Sequence, residues 1–155
     1  MEKHAKAATA LGPVIQAYQS AVDDHDREAA RILGVNRTDL RCLELLIERD
    51  GTSPTELADL LGLTSGSVTA MLDRLDRTGF LHRSSDPSDR RKSIVAITPN
   101  GRARCFELIS PLVRDGAAML SDHFDDDELH VVARFLIETT ELQRTHVARL
   151  KELQP

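Results

Sequence analysis

Tryptophan is absent and only five aromatic residues occur, Tyr18, Phe80, Phe106, Phe124 and Phe135, in a chain of 155 residues. That scarcity argues against a ligand pocket built from stacked aromatic rings. Cysteine is nearly as rare: Cys42 and Cys105 are too few and too far apart for a disulfide framework or a zinc ribbon, which points to a reducing compartment. No long hydrophobic run is present. The longest stretch free of charge, Ala7 to Val22, contains Thr, Gln, Ser and Pro and is too polar to span a bilayer, and no basic-then-apolar leader precedes it. The expectation is a soluble, cytoplasmic protein without a membrane partner. The sequence also lacks a glycine-rich phosphate loop, a nucleophile elbow and a Cys/His pair with a defined motif, so no cofactor and no enzymatic chemistry are expected.

A surplus of positive charge is missing as well: 20 Lys and Arg face 25 Asp and Glu, a net of −5. Phosphates, however, respond to the field within about 8–10 Å, not to the whole-chain average. Between Ser65 and Lys92 six basic residues meet four acidic ones, a local net of +2 that leaves −7 for the rest of the chain. The length suits one domain with a real core and leaves no room for a separate catalytic domain.

What is present is a series of short blocks set off by turn signals. Gly12-Pro13 opens a first helix that ends at Gly34, with Val14, Tyr18, Ala21, Val22, Ala29 and Leu33 mostly at three- and four-residue steps. Asn36 can cap a second helix with Asp39 in its first turn, an apolar stripe at Leu40, Leu43, Leu46 and Ile47, and a stop at Asp50-Gly51. Ser53-Pro54-Thr55-Glu56 reads as a capping box, followed by Leu57, Ala58, Leu60 and Leu61 as the apolar face of a third helix. After the tight corner at Gly62-Leu63, Thr64 caps a fourth helix with Val68, Met71, Leu72 and Leu75 turned inward. Its other face offers Ser65, Ser67 and Thr69, then Arg74 and Arg77.

Two extended runs, 80–84 and 93–97, flank the basic turn Asp86-Pro87-Ser88-Asp89-Arg90-Arg91. Thr98-Pro99 starts a long helix expected to reach about Leu120, kinked at Pro111. A last helix carries Leu129, Val132, Ala133, Leu136, Thr140, Gln143, Val147 and Leu150 at helical spacing.

Two short helices joined by a glycine corner and followed by a basic hairpin form a winged helix-turn-helix. The fold expected is mainly α with a small β-hairpin wing: a DNA-binding lobe over 36–98, with dimerisation helices over 5–33 and 99–153. The DNA major groove, about 12 Å wide, admits one helix, and the hairpin beside it can reach an adjacent minor groove whose negative potential favours arginine. Thr64, Ser65, Ser67 and Thr69 are then candidates for base or phosphate contact, and Arg74 and Arg77 for phosphates. Arg83, Arg90, Arg91 and Lys92, with Asp89, are the candidates on the wing.

These residues carry a resemblance. Glu56-Leu57-Ala58, Leu61-Gly62-Leu63, Ser67-Val68-Thr69, Leu72-Asp73-Arg74-Leu75, Gly79-Phe80-Leu81, the wing run 86–91 and Ile97-Thr98-Pro99-Asn100-Gly101, in this order and spacing, resemble the MarR family of bacterial transcriptional regulators over residues 33 to about 108. The resemblance implies that Asp89 orients the wing, that Arg91 enters the minor groove and that the helix from Ser65 reads the major groove. It further implies a homodimer built from the first and last helices, and repression of transcription relieved by a small-molecule effector. Dimerisation has support of its own, because the apolar stripes of those helices exceed what a winged helix of about 70 residues needs, and two recognition helices about 34–36 Å apart require a pseudo-palindromic operator.

Other readings stay open. The wing arginines can pair with Asp86 and Asp89 as a solvated hairpin, Thr64 and Ser67 can simply cap their helix, and Arg74 can pair with Asp73 or Asp76. A thiol sensor would use Cys42 or Cys105, although both lie beside apolar positions where packed thiols are inert. His123, Asp125, Glu128 and His130 suggest a metal-responsive variant, against which Asp125 and Glu128 read as another capping box. A winged helix that binds protein instead of DNA is a further class. Tyr18, Arg41 and Phe106 are the candidate effector-binding residues.

Overall fold

The structure is a computed structural model that describes residues 2–49, 51–85, 89 and 93–153. Its elements run α1 (Glu2–Leu33), α2 (Arg37–Ile47), α3 (Pro54–Leu61), α4 (Ser65–Arg77), β1 (Leu81–Ser85), β2 (Ser93–Ile97), α5 (Pro99–His123) and α6 (Asp126–Glu152). Two units divide the chain within α5, residues 1–109 and residues 110–155.

In the first unit, one face of each short helix closes over a common core. Leu43, Leu46, Leu57, Val68, Leu75 and Val95 are fully buried, joined by Ala30 and Leu33 from the end of α1 and Cys105 from α5. Each buried leucine contributes roughly 1.5–3 kcal/mol relative to exposure. The inward set expected on α4, Val68, Met71, Leu72 and Leu75, is buried in full. On α3 only Leu57 is buried, and Leu60 stands exposed, since an eight-residue helix has only about two turns to offer the core.

Caps define the helix starts. Asn36 and Asp39 form a reciprocal capping box on α2, with Asn36 Oδ1 accepting from the Asp39 N–H at 2.8 Å. Ser53 accepts from the Glu56 N–H at 3.1 Å, but the expected return bond is replaced: the Glu56 carboxylate takes the Thr52 hydroxyl at 2.7 Å. Thr52 is drawn there because its backbone pairs with Val95 in a bridge beside the hairpin, N–H to O at 3.0 Å and O to N–H at 2.8 Å. Gly62 closes α3 in the left-handed region, at φ +64°, and forms the corner of the helix-turn-helix.

The first helix starts earlier than the Gly12-Pro13 signal suggests. Glu2 to Leu11 is rich in Ala and Lys, good helix formers, so the helix runs through Pro13. β1 and β2 pair antiparallel with Leu81 opposite Ile97 and Ser85 opposite Ser93. Helix α5 continues through Pro111 to His123, one turn past the expected end.

In the second unit, α6 opens on the capping box expected of Asp125 and Glu128, with bonds of 2.9 and 3.1 Å. None of the residues of this 27-residue helix is buried, and Val131, Leu136, Ile137, Leu142 and Leu150 are each at least half exposed. On α1, Leu11, Val14, Tyr18 and Val22 are likewise exposed. Among the described residues no helix is long and apolar enough to cross a membrane, and no group of three or more His, Cys, Asp or Glu side chains is placed to hold a metal ion.

Candidate nucleic-acid interface

Helix α4 turns a fully apolar side to the core, which forces its remaining residues outward. Ser65, Gly66, Ser67, Thr69, Ala70 and Arg77 are all exposed, so the first turns of the helix offer small side chains and hydroxyls with little bulk between backbone and solvent. Thr64 caps the helix, its Oγ1 accepting from the Ser67 N–H at 3.2 Å and lying 2.9 Å from Ser67 Oγ. The Thr69 hydroxyl donates back to the Ser65 carbonyl at 2.9 Å, and Arg77 Nε donates to the Asp73 carbonyl at 3.1 Å. The helix N-terminus, with its partial positive charge, is at the surface beside these hydroxyls.

Arg74 is held differently from its neighbours. Its Nε donates to Asp39 Oδ2 at 2.9 Å and its Nη2 to Asp39 Oδ1 at 2.6 Å, a bidentate bridge from α4 to α2. This hydrogen bonding raises the arginine pKa still further above its ordinary value. Asp39 is 1% exposed, while the Arg74 side chain keeps 44% of its surface in solvent. Neither Asp73 nor Asp76 takes the Arg74 guanidinium, because residues one or two apart on a helix do not face each other. Asp73 instead pairs with Arg83 of β1, fastening the base of the hairpin to α4. Asp89 is half-buried. Arg90, Arg91 and Lys92 lie outside the described residues, as do Asp86, Pro87 and Ser88.

Two of the candidate effector residues, Arg41 and Tyr18, border different clefts among the described residues. Arg41 borders a cleft of about 320 Å³ with Asp26, Arg37, Glu44, Leu61 and Leu63, where α1, α2 and the α3–α4 corner meet. Tyr18, 65% exposed, borders a separate cleft on α1 with Gln19, Val22 and Asp23, and Phe106 borders neither of these two. The separation follows from helix geometry: Tyr18 precedes Asp26 by two turns, about 12 Å along the axis. Beside the first cleft Arg37 donates to Asp23 at 2.5 Å, joining α2 to α1, and this bond holds the Asp23 carboxyl below its usual range.

Sequence reasoning missed two arginines of α5. Arg102 donates to the Ile47 carbonyl at 3.1 Å and Arg104 to the Leu33 carbonyl at 3.3 Å, so each closes the C-terminus of another helix. Arg104 also lies over the Phe80 ring, 4.1 Å from its centroid. The signal for them was present only as charge near the start of a helix, where positive residues are unfavourable unless a partner element uses them. Both cysteines are buried; burial pushes the Cys42 thiol up to about 12 and raises Cys105 as well.

A glycine-cornered helix pair, an outward polar helix face and an antiparallel hairpin on the next element define a winged helix-turn-helix. Comparison with known proteins agrees. The MarR family model matches residues 35–93. The HTH-type transcriptional regulator YcgE of Bacillus subtilis is 31% identical across 80% of this chain and 80% of its own. The HTH-type transcriptional repressor YetL of the same organism is 32% identical across 49% of this chain and 46% of its own. The crystal structure of apo MarR from Escherichia coli superposes with a TM-score of 0.61 at 26% identity, covering 83% of this chain and 95% of that one. The chain belongs to the MarR family of DNA-binding winged-helix transcriptional regulators.

Proposed function

We propose that the protein is a ligand-responsive repressor that binds a pseudo-palindromic operator as a homodimer. The observation that carries this reading is the outward face of α4: Ser65, Ser67 and Thr69 stand exposed at the helix start while the opposite side is locked into the core. A helix presented this way fits the major groove, with Thr64, Ser65, Ser67 and Thr69 toward base edges or phosphates and Arg77 toward phosphates. Arg90, Arg91 and Lys92 form the basic end of the wing, Arg91 entering the minor groove with Asp89 orienting it, and Arg83 supports the wing from its base.

Dimerisation is supported by the exposed apolar residues of α1 and α6. A 27-residue helix with no buried residue lacks the packing that gives helices most of their stability in water, and a second copy of the chain supplies it. Repression is supported by the name of YetL, a relative matched over about half of its length. The effector is a small molecule seated in the cleft bordered by Arg41, next to the Asp23–Arg37 link between α1 and α2.

The test is duplex binding by the purified protein, titrated in salt, with a sequence the protein itself selects from a random pool. A log–log salt slope corresponding to several phosphates is expected, and Arg91→Ala should weaken binding by about 1–3 kcal/mol and reduce the slope by about one. Salt-independent binding, or none, would favour a winged helix that engages protein. Phenolic and carboxylate compounds added to the complex should release the DNA if the Arg41 cleft is the effector site.

A further inference from the structure

We infer that Asp39 and Arg74 are positioning residues for DNA reading: their bidentate bridge fixes the angle at which α4 is presented, so Arg74 acts on specificity through Asp39 and not as a phosphate contact. The inference rests on the reading of α4 as the recognition helix.

Helix α2 is the fixed side of the bridge. Its N-terminus is closed by the Asn36–Asp39 box, its last carbonyl, on Ile47, receives Arg102 at 3.1 Å, and Leu43 and Leu46 are fully buried. Asp39 serves both ends of this arrangement. Its backbone N–H is bound by Asn36 at 2.8 Å, and both carboxylate oxygens face the Arg74 guanidinium at 2.9 and 2.6 Å. The carboxylate is essentially out of solvent, so its charge has to be met there.

The apolar contacts of α4 are non-directional and tolerate rotation about the helix axis and tilt. A planar fork on a buried carboxylate tolerates neither. Ser65 precedes Arg74 by about 13 Å of helix, so a tilt of roughly 5° pivoting at Arg74 moves the reading residues by about 1 Å, enough to take a 2.9 Å hydrogen bond out of range. The wing is held to the same turn, because Asp73, the neighbour of Arg74, pairs with Arg83 of β1. One turn of α4 thus sets both the recognition helix against α2 and the wing against the recognition helix.

The experiment compares the unaltered protein, Asp39→Asn, Arg74→Lys and the double variant on a duplex selected by the unaltered protein and on an unrelated duplex. Binding is measured below the thermal transition of each variant. Arg74→Lys keeps the charge and loses the fork. The expected result is a roughly tenfold fall in the ratio of selected to unrelated affinity for either single variant, no further fall in the double variant, and unchanged affinity and salt slope on unrelated DNA. A purely structural role lowers melting temperature and leaves the ratio intact in the folded protein, which would overturn the inference. Additive losses, or an Arg74→Lys protein that discriminates as well as the original, would overturn it too. If Asp39→Asn does not fold, Arg74→Lys, altered only at a part-exposed head group, decides alone. Failure of the unaltered protein to bind any duplex would overturn the proposed function and the inference together, an outcome distinct from intact binding with intact discrimination in the variants.

Discussion

Gly101 lies with its backbone against the carbonyl of Phe80, so close that a Cβ on Gly101 would stand 2.3 Å from the Phe80 oxygen and 2.9 Å from its carbonyl carbon. The contact joins the start of α5 to the chain entering the wing. Thr98 completes the joint: its hydroxyl donates to the Gly79 carbonyl at 2.7 Å and accepts from the Gly101 N–H at 2.9 Å, and its own N–H reaches the Phe80 carbonyl at 2.9 Å. The hairpin, the end of α4 and the start of α5 therefore meet at one knot of backbone.

Gly101→Ala should destabilise the protein by about 3 kcal/mol, the upper end of the cost of overpacking, because the obstacle is backbone and not a flexible side chain. Thr98→Ala, which removes the cap, should cost about 1 kcal/mol. Urea unfolding followed by circular dichroism measures both, and a Gly101→Ala protein as stable as the original contradicts the contact.

Arg104 ties α5 to the end of α1 and to Phe80 by one hydrogen bond and one ring contact. Arg104→Ala should lower stability by about 1–2 kcal/mol, and Arg104→Lys should recover part of that, since lysine keeps the charge near the helix C-terminus but not the planar stack. Equal loss in both variants would show that the stack alone matters.

Burial, and secondarily the Asp39 carboxylate, pushes the Cys42 thiol from an ordinary value of 9.0 up to about 12. The unfolded chain releases this proton from about pH 9, whereas the folded chain keeps it, so the contribution to stability is complete below pH 9 and is lost as pH rises toward 12. At pH 10 the loss is on the order of 1 kcal/mol. Urea titrations under reducing conditions at pH 8 and pH 10 check it: the stability gap between the unaltered protein and Cys42→Ala should narrow by that amount at the higher pH. The native thiols should also react slowly with a disulfide reagent, which counts against a thiol sensor.

Much of the helix layout was legible in the residues because local signals and the global fold agree there. Asn36, Ser53, Thr64 and Asp125 cap the helices that follow them, and the inward residues of α4 follow from spacing alone. Long-range pairings were not legible. Nothing in sequence spacing joins Asp39 to Arg74, 35 residues on, or Arg104 to the Leu33 carbonyl, 71 residues back, because such partners are set by the tertiary arrangement of helices. The Gly12-Pro13 signal misplaced the start of α1 for a related reason: a strong local breaker is overridden when the residues before it favour helix. Tyr18, Arg41 and Phe106 were grouped by chemistry, and in the described residues Tyr18 and Arg41 border different clefts.

The exposed side of α6 provides a further prediction. Leu136, half exposed in a single chain, should be covered in the proposed homodimer. Leu136→Glu should yield monomers by sedimentation at concentrations where the unaltered protein is dimeric, and operator affinity should fall at least tenfold, about 1.4 kcal/mol. A Leu136→Glu protein that stays dimeric would place the interface elsewhere.

The most direct measurement of the central claim is hydroxyl-radical footprinting of the protein on a duplex it selects. Two protected stretches of backbone about one helical turn apart, roughly 34–36 Å, related by a dyad and shifted together to higher protein concentration in Arg91→Ala, are the predicted result. A single protected stretch, protection indifferent to sequence, or no protection would contradict a dimer that reads DNA with α4 and the wing.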